Sequence, residues 1–531
     1  MNNKLKTYFV SEDSVNRNKI LGFISCFVTG MIAHGYYIYN QIYNMDSVYV
    51  PYGMSPILSS GRWAGVIINN IFKIYLQYFL VINSFNIIAG ILLLSLCAAQ
   101  LVEIFNIKKR YVAIIISALL VVQPMIINLV GYTFVFHLDL FAMFLATYTM
   151  KLVLVKGKVV LPAVLLGISA GIYQAYIPYA VTIIAVYYFL FILDGNDVKQ
   201  LIKPSIKCLI VFVTTLIIYV VGLKLTIMLF DSLTHEEQQF GYLGMGTNGL
   251  PASSIQNLFL NLFKSYNAFI DIYTGRYGHI TNFPIMKLAL ILVFLIFIIS
   301  AVKLLKKIYA INKLNFILSI IFILLIPIIV NIQFAYYLSN TPRVQSGLFF
   351  IFFIPLLMLD RIELADNNFD FFKSLNFIKF INIKKLVTNL ILYVFIFIAV
   401  HFVFVSHGEH YRLFLHHQRY ERSLQNIANL IITSKDYKDG MEIIMCGSYK
   451  TPDVFIKYQY LYPYDIHDVY LDSSFWIEGS YSFALMQLTN LNIYLQVPPE
   501  EREKYKDIPN YPNPDCVQKI DDNLLLIKFS D

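Results

Sequence analysis

Charge is what this chain has least of. Only 14% of its residues are Asp, Glu, Lys or Arg, against 58% hydrophobic, and mean hydropathy is +0.62. A soluble globular chain of this length needs far more polar surface, so that class is excluded. Tryptophan is nearly absent, with 2 residues, while 39 Tyr and 43 Phe bring the aromatic share to 16%. That balance suits interfacial belts and a groove packed by lipid or sugar better than a simple ion pore. There is no long linker, internal repeat or low-complexity tract. Also missing are a Walker loop, a Rossmann fingerprint, a Gly-x-Ser-x-Gly elbow and a zinc motif, which removes the activities built on them. No cleavable signal is visible. The first apolar run, from about Ile20, is as long as a membrane span and has no small-residue cleavage site behind it, so it is expected to stay as an anchor.

The formal net charge of +8 does not point to nucleic acid. No nucleic-acid motif is present, and most Lys and Arg sit in short connections between apolar runs, where they orient a membrane protein. The expected partner is the lipid bilayer. The apolar runs fall at about 19–39, 80–105, 111–129, 133–154, 159–175, 177–193, 206–229, 285–302, 314–333, 345–359 and 386–405, so about eleven transmembrane helices are expected in a polytopic α-helical membrane protein. Gly171 through Pro178 separates two of them as a tight turn. Between Trp63 and about Phe79 the mixed pattern predicts an amphipathic helix at the membrane surface.

With the N-terminus inside, about 22 Lys and Arg fall in the cytoplasmic connections against roughly half a dozen in the opposite ones. An odd number of spans then puts the C-terminus outside. The outer segments become the loop from Asn44 to Trp63, a long one from Asp231 to Pro284, a short one from Gln333 to Gln345, and everything beyond about Ser406. The chain therefore divides into a transmembrane domain, 1–405, and a C-terminal extracytoplasmic domain, 406–531. The latter carries about 18 Asp and Glu against about 12 Lys and Arg and reads as a helix at 410–433 followed by short strands, a small α/β domain. Cys26, Cys97 and Cys208 lie in apolar runs as packing residues. Cys446 and Cys516 fall in the polar tail, where an outside location would allow a disulfide.

Candidate chemistry concentrates in the outer segments. Asp46, a few residues past the first span, reads either as a general base toward a hydroxyl or as an ordinary loop charge, and Arg62 either as a phosphate ligand or as its solvated counterpart. Trp63 beside it is a sugar-facing candidate. His137 and Asp139, at the outer end of the fourth span, are ionisable groups in an apolar sequence, which suggests a site or a structural ion pair. Arg276 and Arg343 are scarce outer arginines, fit for an anionic ligand or for lipid headgroups. Tyr173 and Gln174, in the tight turn, offer a phenol and an amide to a sugar or simply cap two helices. His235-Glu236-Glu237 reads as solvated loop, and His407, His410, His416 and His417 as interfacial residues at a span end.

Asp46 after the first span, Ser60-Gly61-Arg62-Trp63, Gly171-x-Tyr173-Gln174 and a tail ending Tyr511-Pro512-Asn513-Pro514-Asp515-Cys516 together resemble the bacterial glucosyltransferases that add side-branch glucose to O-antigen. The resemblance implies a GT-C-like membrane domain, a polyprenyl-phosphate sugar as donor, a cell-surface glycan as acceptor, and transfer on the outer side of the cytoplasmic membrane. It implies an acidic base in the first outer loop, which falls on Asp46. Many such enzymes carry two adjacent acids there. Here Ser47 follows, leaving Asp139 as the second acid. No metal ligand and no cofactor are assigned on this reading, the lipid-linked sugar being a substrate, and divalent-metal dependence is left open. The expected reaction is an inverting transfer in which Arg62, Arg343 and Arg276 hold the departing phosphate. A transporter or flippase of lipid-linked sugars is the alternative; it calls for broken or charged mid-span helices and internal pseudo-symmetry.

Overall fold

The computed structural model describes residues 2–40, 42, 58, 60–76, 83–234, 255–274, 284–335, 345–362, 383–447 and 491–530. Fourteen α-helices lie in these segments: α1 (Asn2–Tyr39), α2 (Trp63–Leu76), α3 (Asn83–Ile104), α4 (Arg110–Val122), α5 (Pro124–Val130), α6 (Thr133–Leu154), α7 (Val160–Ile172), α8 (Tyr176–Leu193), α9 (Ile202–Thr234), α10 (Ile255–Tyr273), α11 (Pro284–Ile311), α12 (Lys313–Val330), α13 (Phe350–Arg361) and α14 (Ile383–Ile432). Four strands follow: β1 (Glu442–Cys446), β2 (Ile493–Gln496), β3 (Val517–Lys519) and β4 (Leu524–Lys528).

Every apolar run singled out in the sequence is largely helical. Among the described residues 8 helices meet the length and apolarity a crossing needs, or up to 9 if α4 and α5 form one bent span, against the expected eleven. The short α7 and α13 make the difference. At 1.5 Å per residue, α7 with 13 residues and α13 with 12 reach only about 20 Å and 18 Å of a hydrocarbon layer about 30 Å thick. The bend between α4 and α5 is 43° and has a local cause. Gln123, held extended (φ −70°, ψ 153°), precedes Pro124 at the first position of α5. A residue before proline avoids the helical region, and proline cannot continue the hydrogen-bond ladder.

The helices run back and forth so that their connections collect at two ends. At one end Asn18 donates to the carbonyls of Ile107 and Lys108 at 3.0 and 2.8 Å, and Glu103 takes both Lys19 (2.7 Å) and Lys151 (2.9 Å). There, too, the Asp360 carboxylate accepts the backbone N–H groups of Lys108 and Lys109, and Arg361 pairs with Asp194 at 3.1 Å. These contacts tie α1, α3, α4, α6, α8 and α13 at the end that carries the basic connections. Most of these side chains are buried or half-buried and paired, as low-dielectric surroundings demand, while Asp194 reaches the exposed rim.

The last helix departs from expectation. One helix of 50 residues, α14, covers both the final apolar run and the helix expected at 410–433, because no proline interrupts it and its one glycine, Gly408, is accommodated. Its apolar stretch, Asn389–Leu415, has the composition of a span. Its last turns, through Leu424, Ile427, Ala428 and Ile431, lie on a four-stranded sheet of order β2-β1-β4-β3. β1 pairs in parallel with β2 and β4, and β3 is antiparallel to β4. Side chains alternate across the sheet. Ile443, Met445, Leu525 and Ile527 face α14 together with Cys516, whereas Cys446 and Leu526 pack on the other face with Val497. The candidate disulfide between Cys446 and Cys516 is not formed, since Cys516 packs in the cluster facing α14 and Cys446 in the cluster on the other face of the sheet.

Candidate functional site

At the end opposite the basic connections, the turn between α7 and α8 meets the segment leading into α2. α7 stops at Ile172, Tyr173 is extended, and α8 begins at Tyr176. The Gln174 amide spends both its N–H groups on this junction, donating to the Ser60 carbonyl at 2.9 Å and the Tyr219 hydroxyl at 3.0 Å. Tyr219, on α9, donates in turn to the Gly61 carbonyl at 3.2 Å. Gly61 has φ +80°, and a Cβ there would run into the Tyr219 hydroxyl and the Gln174 amide. Only glycine suits both the backbone and the space.

This clasp delivers Arg62. Its guanidinium lies over the Tyr173 ring, 4.5 Å from the centroid, a cation–π contact. Its buried Nε has no hydrogen-bond partner, and no carboxylate pairs with it among the described residues. Arg361 has Asp194, Arg412 has Glu409, and Lys19 and Lys151 share Glu103. Among the described residues Arg62 is thus a held cation without a counter-charge. One ring further in, Tyr176 stands edge-on to Tyr173, centroids 5.7 Å apart, and near enough to Asp139 for the carboxylate to act on it electrostatically. Asp139 itself is 5% exposed. On the far side of the turn, the Ser346 hydroxyl donates to the Ala175 carbonyl at 2.8 Å, fixing the turn against the segment 345–349.

Arg62, Tyr173 and Gln174 are thus gathered around one turn, with the buried Asp139 within electrostatic reach of Tyr176, although Tyr173 serves there as the seat of Arg62. Trp63 is nearby but turned away. Its indole lies in a notch formed by Gly171 on α7 and Gly222 on α9, where a Cβ would come within 2.5 and 2.6 Å of the ring, so it anchors α2. His137 and Asp139 are not brought together. Two residues apart on a helix they point about 200° apart, and the His137 ring meets Phe85 of α3, centroids 6.5 Å apart. Asp46, Arg276, Arg343 and His235-Glu236-Glu237 lie outside the described residues. Among the described residues no group of three or more side chains is placed to hold a metal ion.

A family model described as Glucosyl transferase GtrII matches residues 35–358, more than half of the chain. The chain belongs to this family. No curated protein and no solved structure matches it. The GtrII match covers every element around the turn, from the end of α1 to α13, and stops short of α14 and the sheet.

Sequence reading missed two parts of this GtrII chain. Tyr219 and Tyr176 are tyrosines inside apolar runs, where nothing distinguishes a site residue from a belt residue. The second part is a buried cluster where α1 meets α14. His34 donates through Nε2 to the Val121 carbonyl at 2.8 Å, and its Nδ1 lies 3.0 Å from Nε2 of His410. Ser406 donates to the Ala33 carbonyl at 2.9 Å and stands 2.8 Å from the same His410 nitrogen. His410 is fully buried, so its interfacial assignment is corrected; His407 does remain exposed. The signal was His34 itself, an imidazole in an apolar run that needed a partner.

Proposed function

We propose that the protein transfers a glucosyl residue from a polyprenyl-phosphate donor to a hydroxyl of a cell-surface glycan such as O-antigen, at the outer face of the cytoplasmic membrane, with inversion. Glucosyl transfer follows from the family. The observation that supports the donor class is Arg62: a half-buried guanidinium seated on Tyr173 and lacking a counter-charge among the described residues is complementary to an anion, and bidentate hydrogen bonding suits a phosphate. A prenyl chain remains in lipid while its phosphate reaches the end of the bundle where Arg62 lies. The N-terminus and basic connections are then cytoplasmic, and the C-terminal sheet domain is outside.

In the mechanism, Asp46 accepts the proton of the acceptor hydroxyl as its oxygen attacks the anomeric carbon. The bond from that carbon to the phosphate oxygen breaks, and the phosphate leaves with the electron pair. Arg62, with Arg343 and Arg276, balances the charge that develops on it. Asp139 accepts hydrogen bonds from sugar hydroxyls. The Gln174 N–H groups are committed to Ser60 and Tyr219, so it offers a ligand only its carbonyl oxygen.

The test uses the purified protein in nanodiscs with radiolabelled polyprenyl-phosphate glucose and an acceptor glycan. Arg62→Gln is expected to raise the donor KM about 10-fold or more, in line with a lost charge-assisted contact, and to leave the acceptor KM unchanged. Asp46→Asn is expected to abolish turnover in a folded, inserted protein. An unchanged donor KM in Arg62→Gln, or transfer from a nucleotide sugar in place of the lipid-linked one, overturns the donor assignment.

A further inference from the structure

Three tyrosines line the first turns of α8 and the turn before it, and their hydroxyls are not equivalent. Tyr179 shares a hydrogen bond with Thr147 at 3.3 Å, and Tyr173 carries Arg62. Tyr176, between them, is 0% exposed. It is edge-on to both neighbours, at 5.7 and 6.1 Å, and its hydroxyl has no hydrogen-bond partner among the described residues. Burying a phenol with its hydroxyl unsatisfied costs about 1–3 kcal/mol. Phenylalanine would keep both aromatic contacts without that cost. Tyr176 lies one residue beyond Ala175, whose carbonyl is held by Ser346, and the buried Asp139 is within electrostatic reach of its phenol. An unsatisfied buried phenol next to the Tyr173 seat of Arg62, with a carboxyl group in the same region, offers a donor and an acceptor, which suits a neutral ligand rich in hydroxyl groups.

We propose that Tyr176 is a specificity-determining residue, its hydroxyl bonding one hydroxyl of the transferred glucosyl group while Asp139 bonds a neighbouring one. This rests on the donor reading above. It has a direct consequence: a site that must satisfy a buried phenol rejects a sugar lacking the matching hydroxyl much more strongly than an apolar pocket rejects a sugar of the wrong size. The orphan atom becomes satisfied only when the right sugar is bound.

The experiment compares wild type and Tyr176→Phe in nanodiscs, with polyprenyl-phosphate glucose and with its monodeoxy analogues, one for each sugar hydroxyl. Wild type is expected to lose about 100-fold or more in kcat/KM on one analogue. The variant is expected to lose about 10-fold or more on the parent donor and to turn over parent and that same analogue within about threefold of each other. Its melting temperature should equal or exceed the wild type's, because an unsatisfied group has been removed, so a loss of rate is not a loss of fold. If the variant keeps the wild-type ranking of the analogues, or slows equally on all of them, the hydroxyl does not read the sugar and the proposal is overturned. A wild type inactive on polyprenyl-phosphate glucose overturns the donor reading instead, and the inference with it.

Discussion

Arg62 is informative because of what it lacks. A guanidinium taken partly out of water without a carboxylate is destabilising; among the described residues the half-buried Lys19, Lys151, Arg361 and Arg412 have carboxylate partners, and Lys207 is held by the Gly157 carbonyl, whereas Arg62 has neither. Tyr173 offsets some of that cost, since a cation over an aromatic face is stabilised by about 0.5–2 kcal/mol. Tyr173→Leu should therefore free Arg62 and raise the donor KM by about 2- to 30-fold, whereas Tyr173→Phe keeps the π face and should stay near wild type. Steady-state kinetics with a lipid-linked donor separates the two, and equal effects in both variants would assign Tyr173 to its hydroxyl. Arg62, Tyr173 and Gln174 were legible in the sequence because polar residues at the ends of apolar runs stand out. Their roles were not legible. That Gln174 spends its amide on Ser60 and Tyr219 depends on α9, whose Tyr219 is far away in the chain and unremarked in its own run.

At the level of elements, Arg62 is aimed by α2, and Trp63 is that helix's largest anchor. Trp63 fills the notch between Gly171 and Gly222, Val66 packs beside it with Leu58, Leu223 and Ile227, and Ile67 and Ile71 are left exposed. Trp63→Ala should cost about 3–5 kcal/mol by leaving a cavity. Gly222→Leu should cost about 1–3 kcal/mol by expelling the indole. Because both break one contact, the double variant should be less damaged than the sum. Thermal unfolding of the four proteins in detergent closes that cycle, and strict additivity would show that Trp63 and Gly222 act independently. The amphipathic pattern from Trp63 predicted the helix, and Gly171 with Pro178 predicted the break between α7 and α8; both are local signals. Hydropathy alone could not show that α7 and α13 are shorter than the apolar runs they lie in, because flanking apolar residues lengthen a run without lengthening the helix. Nor could it show that α14 passes unbroken from membrane to sheet, since the composition shift near Ser406 changes the solvent and not the backbone.

For the molecule as a whole, the separation of its two ends decides where chemistry can occur. Basic connections and their paired carboxylates close one end, the Arg62 turn lies at the other, and α14 extends its helix into the sheet domain. If the positive end is cytoplasmic, donor phosphate, acceptor glycan and sheet domain share the outer side. The cysteines make this testable. All five are buried and none is in a disulfide, and burial pushes the Cys516 thiol up to about 11, so near pH 7 it is a protonated, enclosed group with little reactivity. The native protein should accordingly give almost no maleimide labelling until it is unfolded, with or without reductant, and a reductant requirement would restore the Cys446–Cys516 bond that the sheet denies. Against that quiet background, Asp507→Cys and Lys156→Cys, both at exposed positions, report on the two ends. In right-side-out spheroplasts a membrane-impermeant maleimide should label Asp507→Cys at once and Lys156→Cys only after permeabilisation. The opposite order would place Arg62 in the cytoplasm, where a lipid-linked donor on the outer leaflet could not reach it.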